Sequence, residues 1–451
     1  MDTVDTIAAI CTGAGGAISI IRISGSGALE TGNRIWYGSR PLSAHDARRL
    51  LLGKARFQDS GEDAALAVYM PGPNSYTGDD IVEIQCHGGN LISAKVLEAA
   101  LAHGARMAEP GEFTYRAFIN GKMDLTQAEA VAEVISAGSG MALHLAEKQI
   151  NGSLGKEIND IYEQLIDILS ECESRMDFAE ESLDWTQIEE SAAQLCNISE
   201  RLEKLLKSKN EGIILRNGVR VVIAGRPNAG KSSLLNLLLG YERAIVTQHP
   251  GTTRDTLEEQ THLRGVPVRL IDTAGIRDAD NLIEGMGIDR SKRSINEAQV
   301  IFWLLDSSEE DLDAEIRELK AHIHQDAKAI AIWNKIDLAQ NRILPELDIP
   351  AVKISVNTEN NIDALLDVFE KTVWGFPHDS EPELAVSARH AHLLDKAVNA
   401  IPSIIGHLTG EDWELAAVHL RESLTALGKI TGKAATPDIL DNIFARFCIG
   451  K

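Results

Sequence analysis

The chain has 451 residues, with 44 Lys and Arg against 67 Asp and Glu for a formal net charge of −23. Its 44% apolar and 25% charged residues are ordinary for a globular protein and exclude a disordered or collagenous chain. At roughly 150 residues per domain the length predicts about three domains, and the charge opposes non-specific attraction to phosphate backbones. Handling a nucleic acid would therefore call for a local basic patch or a partner.

The five cysteines, Cys11, Cys86, Cys172, Cys196 and Cys448, form no CxxC pair or other zinc-ligand spacing and read as reduced thiols. The first residues are acidic where a secretory signal is basic, and no apolar run approaches the ~18 residues of a membrane span. A cytoplasmic protein with no membrane partner is expected.

Between residues 5 and 118, short apolar runs broken by Gly and Pro predict a compact α+β domain, with strands over 17–23 and 81–85 and a helix over 91–103 ended by Gly104. Gly and Pro then become rare as far as about 209. Leu154, Ile158, Ile161, Leu165 and Ile168 step by 4, 3, 4 and 3, one seam of a long helix. The acidic run between Glu157 and Glu190 reads either as a solvated helix surface or as a face for a protein partner. From 219 to about 374, strand-like runs at 221–224, 268–271, 300–305, 329–333 and 351–354 alternate with helical text, predicting a mostly parallel sheet covered by helices. Helical text returns after Glu381–Pro382, with Leu420, Leu424 and Leu427 on one face, and Thr436–Pro437 reads as the start of a last helix. The expected organisation is thus multidomain α/β and α, with an α+β domain over 1–118, helical segments over 119–212 and 378–451, and an inserted α/β block over 213–377.

The residues 225–232, Gly-Arg-Pro-Asn-Ala-Gly-Lys-Ser, match G-x-x-x-x-G-K-[ST] directly after a predicted strand and before a predicted helix. Its glycines let backbone N–H groups surround phosphate oxygens at a helix N-terminus, Lys231 suits the β- and γ-phosphates, and the Ser232 hydroxyl suits Mg²⁺. Asn228, Ala229, Gly230 and Ser233 complete the loop. Further along, Asp272-Thr273-Ala274-Gly275 ends a predicted strand, placing a carboxylate near the metal and a glycine N–H near the γ-phosphate. Thr253, in the Gly-Thr-Thr-Arg-Asp run of 251–255, can bring a hydroxyl to Mg²⁺ when γ-phosphate is present. Asn334-Lys335-Ile336-Asp337 ends another strand, and the Asp337 carboxylate can accept from guanine N1–H and N2–H₂, which argues for GTP over ATP. The order of these segments predicts a Ras-like P-loop G domain.

The P-loop with Asn228, together with Gly-Thr-Thr-Arg-Asp, Asp-Thr-Ala-Gly and Asn-Lys-Ile-Asp, resembles the translation-factor-like GTPases that include the Era-type proteins. The N-terminal run from Asp5 through Arg22 to Gly25, the Ser75–Glu83 segment, His87-Gly-Gly, the Gly111–Ala130 segment and the closing Phe447-Cys448-Ile-Gly-Lys451 look like the MnmE (TrmE) family of tRNA-modification GTPases. That resemblance spans all three blocks. It implies GTP hydrolysis that drives, with the flavoprotein MnmG (GidA) in a heterotetramer or larger complex, the addition of an aminomethyl or carboxymethylaminomethyl group to C5 of the wobble uridine of certain tRNAs. It further implies homodimerisation through an N-terminal domain that binds 5-formyl- or methylenetetrahydrofolate. By position, Arg22, Glu83, Lys122 and Lys451 match the family's folate contacts.

The resemblance also implies G domains that pair across a potassium ion, which supplies charge where other GTPases use an arginine finger. Asn228, Thr247, His249 and Thr252 fall on its K⁺ positions, and Thr247 and Thr252 count among the GTP-binding residues with Ser355 and Val356. Glu284 matches the carboxylate that orients water, beside Lys231 in the catalytic set, and Arg277 lies in the same segment. Two departures are visible: His249-Pro250 stands where Ile-Ala is frequent, and Ser355-Val356-Asn357 where Ser-Ala-Lys is common. The Val356 N–H is expected to meet the guanine carbonyl. Cys448 reads as a buried structural cysteine or as a reactive thiol near the folate. The alternative function is an Era-type ribosome-assembly GTPase acting as an RNA-binding switch, which predicts a basic RNA-binding domain and leaves the N-terminal motifs unexplained.

Overall fold

The computed structural model describes residues 5–13, 15–178, 186–241, 258–272, 298–322, 328–339, 342–374, 384 and 386–450. In chain order the first part runs β1 (Ile7–Ile10), β2 (Ile18–Ser24), α1 (Ala28–Ile35), β3 (Trp36–Gly38), β4 (Leu51–Arg56), β5 (Glu62–Met70), β6 (Ile81–His87), α2 (Asn90–Ala102), β7 (Arg106–Met107) and α3 (Glu112–Ile119). Helices follow: α4 (Leu125–Ser136), α5 (Gly140–Ile150), α6 (Ser153–Asp177), α7 (Ile188–Lys207) and α8 (Lys209–Asn217). The next part holds β8 (Val219–Gly225), α9 (Lys231–Tyr241), β9 (Glu258–Leu263), β10 (Val266–Asp272), β11 (Val300–Asp306), α10 (Leu312–His322), β12 (Lys328–Asn334), β13 (Ala351–Lys353) and α11 (Ile362–Trp374). The chain closes with α12 (Ala388–Thr409), α13 (Trp413–Thr431) and α14 (Pro437–Phe444). Among the described residues no helix is long and apolar enough to cross a membrane.

The chain divides into two compact units, one of residues 1–135, 148–202 and 392–451, the other of 136–147 and 203–391. The first contains a seven-stranded sheet of order β3-β4-β5-β6-β2-β1-β7, antiparallel except for the β1–β7 pair. Period-two alternation sends Ile21, Ile23, Val82, Ile84, Ala65 and Ala67 to one face, where they form a single buried cluster with Ala28 and Ile35 of α1 and Val96 and Ala100 of α2. In α6 the predicted seam is fully inward, since Leu154, Ile158, Ile161, Leu165 and Ile168 are all buried, and α13 packs along that helix with Leu420, Leu424 and Leu427 buried. Segments from both ends of the chain thus share one helical layer. The last helix, begun by Pro437 in its first turn, presses Leu440, Ile443 and Phe444 against Leu125 and Ala128, with Phe444 edge-on to Tyr115 at 5.3 Å between ring centres.

The second unit is built on a six-stranded sheet of order β13-β12-β11-β8-β10-β9, parallel except for β9 against β10. Both faces are buried, as the continuous apolar runs require. Val221, Ile223, Phe302, Leu304, Ile330 and Ile332 point to one side with Leu234 and Leu238 of α9 and Leu365 and Phe369 of α11, while Val222, Ile301, Trp303, Ala331 and Trp333 point to the other. Residues 136–147, assigned from the sequence to the helical segment, belong to this unit because Met141, Ala142 and Leu145 pack against its core.

Candidate functional site

The phosphate loop sits where β8 gives way to α9, at the carboxyl edge of the parallel sheet where open α/β sheets bind ligands. Its backbone takes positive φ at Gly225, Asn228 and Gly230, and the Ala229 N–H closes a turn on the Arg226 carbonyl at 3.4 Å. Only glycine serves at two of these positions. A Cβ at Gly225 would collide with the Leu304 carbonyl oxygen, and one at Gly230 with the Asn334 amide nitrogen. The Lys231 ammonium donates to the Gly225 and Arg226 carbonyls at 3.1 and 2.8 Å, so it lies across the loop it belongs to. Ser232 and Ser233 are exposed in the first turn of α9, and Ala229 is buried beneath the loop.

One buried side chain joins three segments of this site. Asn334, at the end of β12, donates its amide to the Ala229 carbonyl at 2.8 Å and accepts from the Val356 N–H at 3.1 Å. The Val356 N–H expected to face a guanine carbonyl is therefore already engaged by Asn334, and a base would share or displace that bond. The Ser355 hydroxyl donates to Asp337 Oδ1 at 2.6 Å and accepts from the Thr358 N–H at 3.2 Å, which fixes the carboxylate and the 355–358 turn together. Lys335 adopts φ +61 and its ammonium pairs with Asp306 at 2.6 Å. Asp306 was not singled out from the sequence; the signal was its place at the end of β11, in direct register with Asn334. Burial opposes its charge, but the Lys335 and Ser308 hydrogen bonds outweigh burial and hold the carboxyl below the ordinary aspartate value.

Asp272 ends β10 beside β8, as predicted, with its side chain outside the described residues. Thr247, His249, Thr252, Thr253, Thr273, Ala274, Gly275, Arg277, Glu284 and Lys451 also lie outside them. Among the described residues no group of three or more His, Cys, Asp and Glu side chains could hold a metal ion.

A second constellation lies in the first unit. Arg22 and Glu83 are direct cross-strand partners on β2 and β6, and Arg22 Nε and a terminal nitrogen both reach Glu83 Oε1 at 2.8 Å. The guanidinium stands 5.4 and 5.5 Å from the ring centres of Tyr76 and Phe113. The Tyr76 hydroxyl hydrogen-bonds Thr114 at 2.9 Å, and burial raises its pKa despite that bond and the nearby Arg22. Lys122 donates to the Pro73 carbonyl at 2.9 Å, on the loop that carries Tyr76. The sequence treated Arg22 and Glu83 as separate contacts, whereas they form one ion pair walled by two aromatic rings. Tyr76, Phe113 and Thr114 were unassigned although they lie inside the quoted motifs.

The C-terminal tail returns to this unit. Gly111 N–H approaches the Cys448 carbonyl at 3.5 Å, and Gly450, at φ +98, lies so close that a Cβ would strike the Ile10 carbonyl oxygen. Cys448 is exposed, which corrects the expectation of a buried structural thiol: Phe447 takes the inward position and turns its neighbour outward. None of the five cysteines is in a disulfide, and burial pushes the thiols of Cys86 and Cys172 up to about 11, leaving those two unreactive.

Residues 6–122 match the family model described as "GTP-binding protein TrmE N-terminus", and residues 125–448 match the "MnmE helical domain" model. Proteins named "tRNA modification GTPase MnmE" from Symbiobacterium thermophilum and Geotalea uraniireducens are 43% and 42% identical to the chain, with 99% of each chain covered in both cases. One of the same name from Natranaerobius thermophilus is 39% identical over the whole of both chains. With matches of this extent in both of its units, the chain belongs to the MnmE family.

Proposed function

We propose that the chain hydrolyses GTP to drive tRNA modification. The observation that carries this reading is the Asn334 bridge, which ties a phosphate loop to two base-recognition segments at one sheet edge, in a chain whose relatives are named for that activity. The Asp337 carboxylate faces the donors that guanine has and adenine lacks, with Ser355 holding its orientation. Lys231 neutralises phosphate charge when nucleotide binds, exchanging its bonds to Gly225 and Arg226 for phosphate oxygens. Ser232, with Thr253, is the proposed Mg²⁺ contact, and Asn228, with Thr247, His249 and Thr252, the proposed K⁺ contact. The exposed, left-handed Asn228 offers an amide oxygen suited to a hard monovalent cation. Asp272, Thr273, Ala274 and Gly275 complete the γ-phosphate side, and Glu284 orients water.

In the first unit, Arg22, Glu83 and Lys122, with Lys451 after the returning tail, form the proposed site for 5-formyl- or methylenetetrahydrofolate. The residues present suit such a ligand, because Tyr76 and Phe113 provide flat apolar walls and the ion pair provides both a donor and an acceptor edge. The bound folate supplies a one-carbon unit; the chain's part is to hold the ring, with Arg22 fixing the position of the Glu83 carboxylate. The N-terminal domain is also the proposed homodimer surface. Direct cross-strand partners Leu52, Leu66, Gln85 and Ile20, flanked by Tyr37, Lys54, Ala64, His87 and Ile18, make one sheet face opposite α1 and α2. On it Leu52 is 75% exposed, Tyr37 59% and Ile18 58%, an apolar stripe that a second copy would cover. The flavoprotein MnmG and tRNA are the proposed partners, in the cytoplasm, with the wobble uridine as target and an aminomethyl or carboxymethylaminomethyl group as product.

The test is reconstitution. The purified chain, the flavoprotein, GTP, the folate and tRNA lacking the wobble modification should together yield the modified uridine by nucleoside mass spectrometry, and omission of the chain or of GTP should abolish it. Equal product without the chain would overturn the reading.

A further inference from the structure

Beside the 334–337 segment, on the side away from the 355–358 turn, lies a strut that the motif does not include. Asp306 and Asn334 are register partners at the carboxyl ends of adjacent parallel strands, so the turns that follow β11 and β12 leave the sheet side by side. They are joined three times. The Ser307 N–H donates to the Asn334 carbonyl at 3.0 Å, the Lys335 ammonium pairs with Asp306 Oδ2 at 2.6 Å, and Arg342 donates to the carbonyls of Ser307, Glu309 and Glu310. The other Asp306 oxygen accepts from the Ser308 N–H and hydroxyl at 2.9 and 2.6 Å, so the carboxylate has partners on both sides and its side chain is only 9% exposed.

Lys335 needs such a strut. It is a non-glycine residue in the left-handed region, a conformation that persists only where the surroundings over-determine it. It separates Asn334, which reaches back to the phosphate loop, from Asp337, which is held by Ser355. Relaxing Lys335 to ordinary φ would swing the direction of the chain between these two side chains, and both could not then keep their partners.

We propose that Asp306 is a positioning residue for nucleotide binding, acting through Lys335 and braced by Arg342 to hold the 334–337 turn. The inference rests on the reading that this unit binds a guanine nucleotide. Asp306 touches no base in this account. Its removal should therefore weaken affinity while leaving the choice of base, which belongs to Asp337, unchanged.

The experiment measures binding of N-methylanthraniloyl-GDP and of the xanthine analogue to the full chain by fluorescence. Asp306→Asn, isosteric but uncharged, is expected to raise Kd for the guanine nucleotide roughly tenfold, as loss of one charge-assisted contact does, with the guanine-to-xanthine ratio held within about twofold. Asp306→Glu, which keeps the charge, should recover most of the affinity. In a Lys335→Ala background the Asp306→Asn loss should shrink below about threefold, because the path through Lys335 is gone. A general destabilisation would instead persist in that background, and this result, or unchanged affinity in Asp306→Asn, overturns the proposal. Failure of the unsubstituted chain to bind the guanine probe overturns the nucleotide-binding reading itself and the proposal with it.

Discussion

Truncating Glu112 to Ala should open the N-terminal end of α3 by about 3 kcal/mol, because a buried charge network loses its centre. The Glu112 side chain is fully buried and accepts from two Arg106 nitrogens at 2.8 and 2.5 Å, from Arg116 at 3.0 Å and from the Glu109 N–H at 2.8 Å. Arg116 is itself fully buried. Breaking a buried pair costs roughly 3–5 kcal/mol, and the low end applies because Arg116 keeps the Asp5 carboxylate at 2.5 Å and the Asp5 carbonyl at 2.7 Å. Hydrogen exchange of peptides over 106–120, followed by mass spectrometry, reads this opening directly, and the expected acceleration is roughly two orders of magnitude. The same experiment has a pH axis. Burial opposes the Glu112 charge, but its arginine and backbone hydrogen bonds outweigh it and hold the pKa below the usual glutamate value near 4.5. The carboxylate's contribution is complete above that usual value and fades as pH falls through the lowered folded one, so the gap between the chain and Glu112→Ala should narrow on acidification. Acceleration under about fivefold at neutral pH, or a gap that widens in acid, would refute the reasoning.

Other substitutions probe the two sites separately. Gly230→Ala forces a Cβ into the Asn334 amide at φ +103 and should weaken guanine-nucleotide binding at least tenfold by calorimetry, with the first unit's exchange pattern unchanged. Glu83→Gln removes the charge that anchors Arg22 between Tyr76 and Phe113 and should lower tetrahydrofolate affinity by roughly tenfold in equilibrium dialysis while GTP binding stays intact. Leu52→Glu places a charge on the apolar sheet face and should shift the chain from dimer to monomer in sedimentation velocity; an unchanged mass would remove that face from the interface.

Periodicity made several elements legible before any coordinates. The α6 seam, the alternation of β2 and β6 and the strand–loop–helix context of the phosphate loop each follow from spacing within a single segment. What spacing could not supply was register between distant segments. Arg22 and Glu83 lie 61 residues apart, and nothing local to either says that antiparallel pairing makes them partners. The Asn334 bridge likewise spans 105 residues to Ala229, and the motif names its ends without the bond that joins them. The burial of α5 followed the same limit: its apolar residues fit a helix packed on other helices as well as one packed on a sheet, and only the core around Met141 and Leu145 decides. Asp306 was hidden differently, as the last residue of a strand whose apolar run drew attention to its interior.

The measurement closest to the central claim is phosphate release from GTP by the full chain with Mg²⁺, in KCl and in NaCl at equal ionic strength, with Asn228→Ala alongside. The account predicts turnover that is clearly faster in KCl and a variant that has lost the difference. Equal rates in the two salts would contradict the cation contact assigned to Asn228, and absence of turnover in both would contradict GTP hydrolysis by this chain.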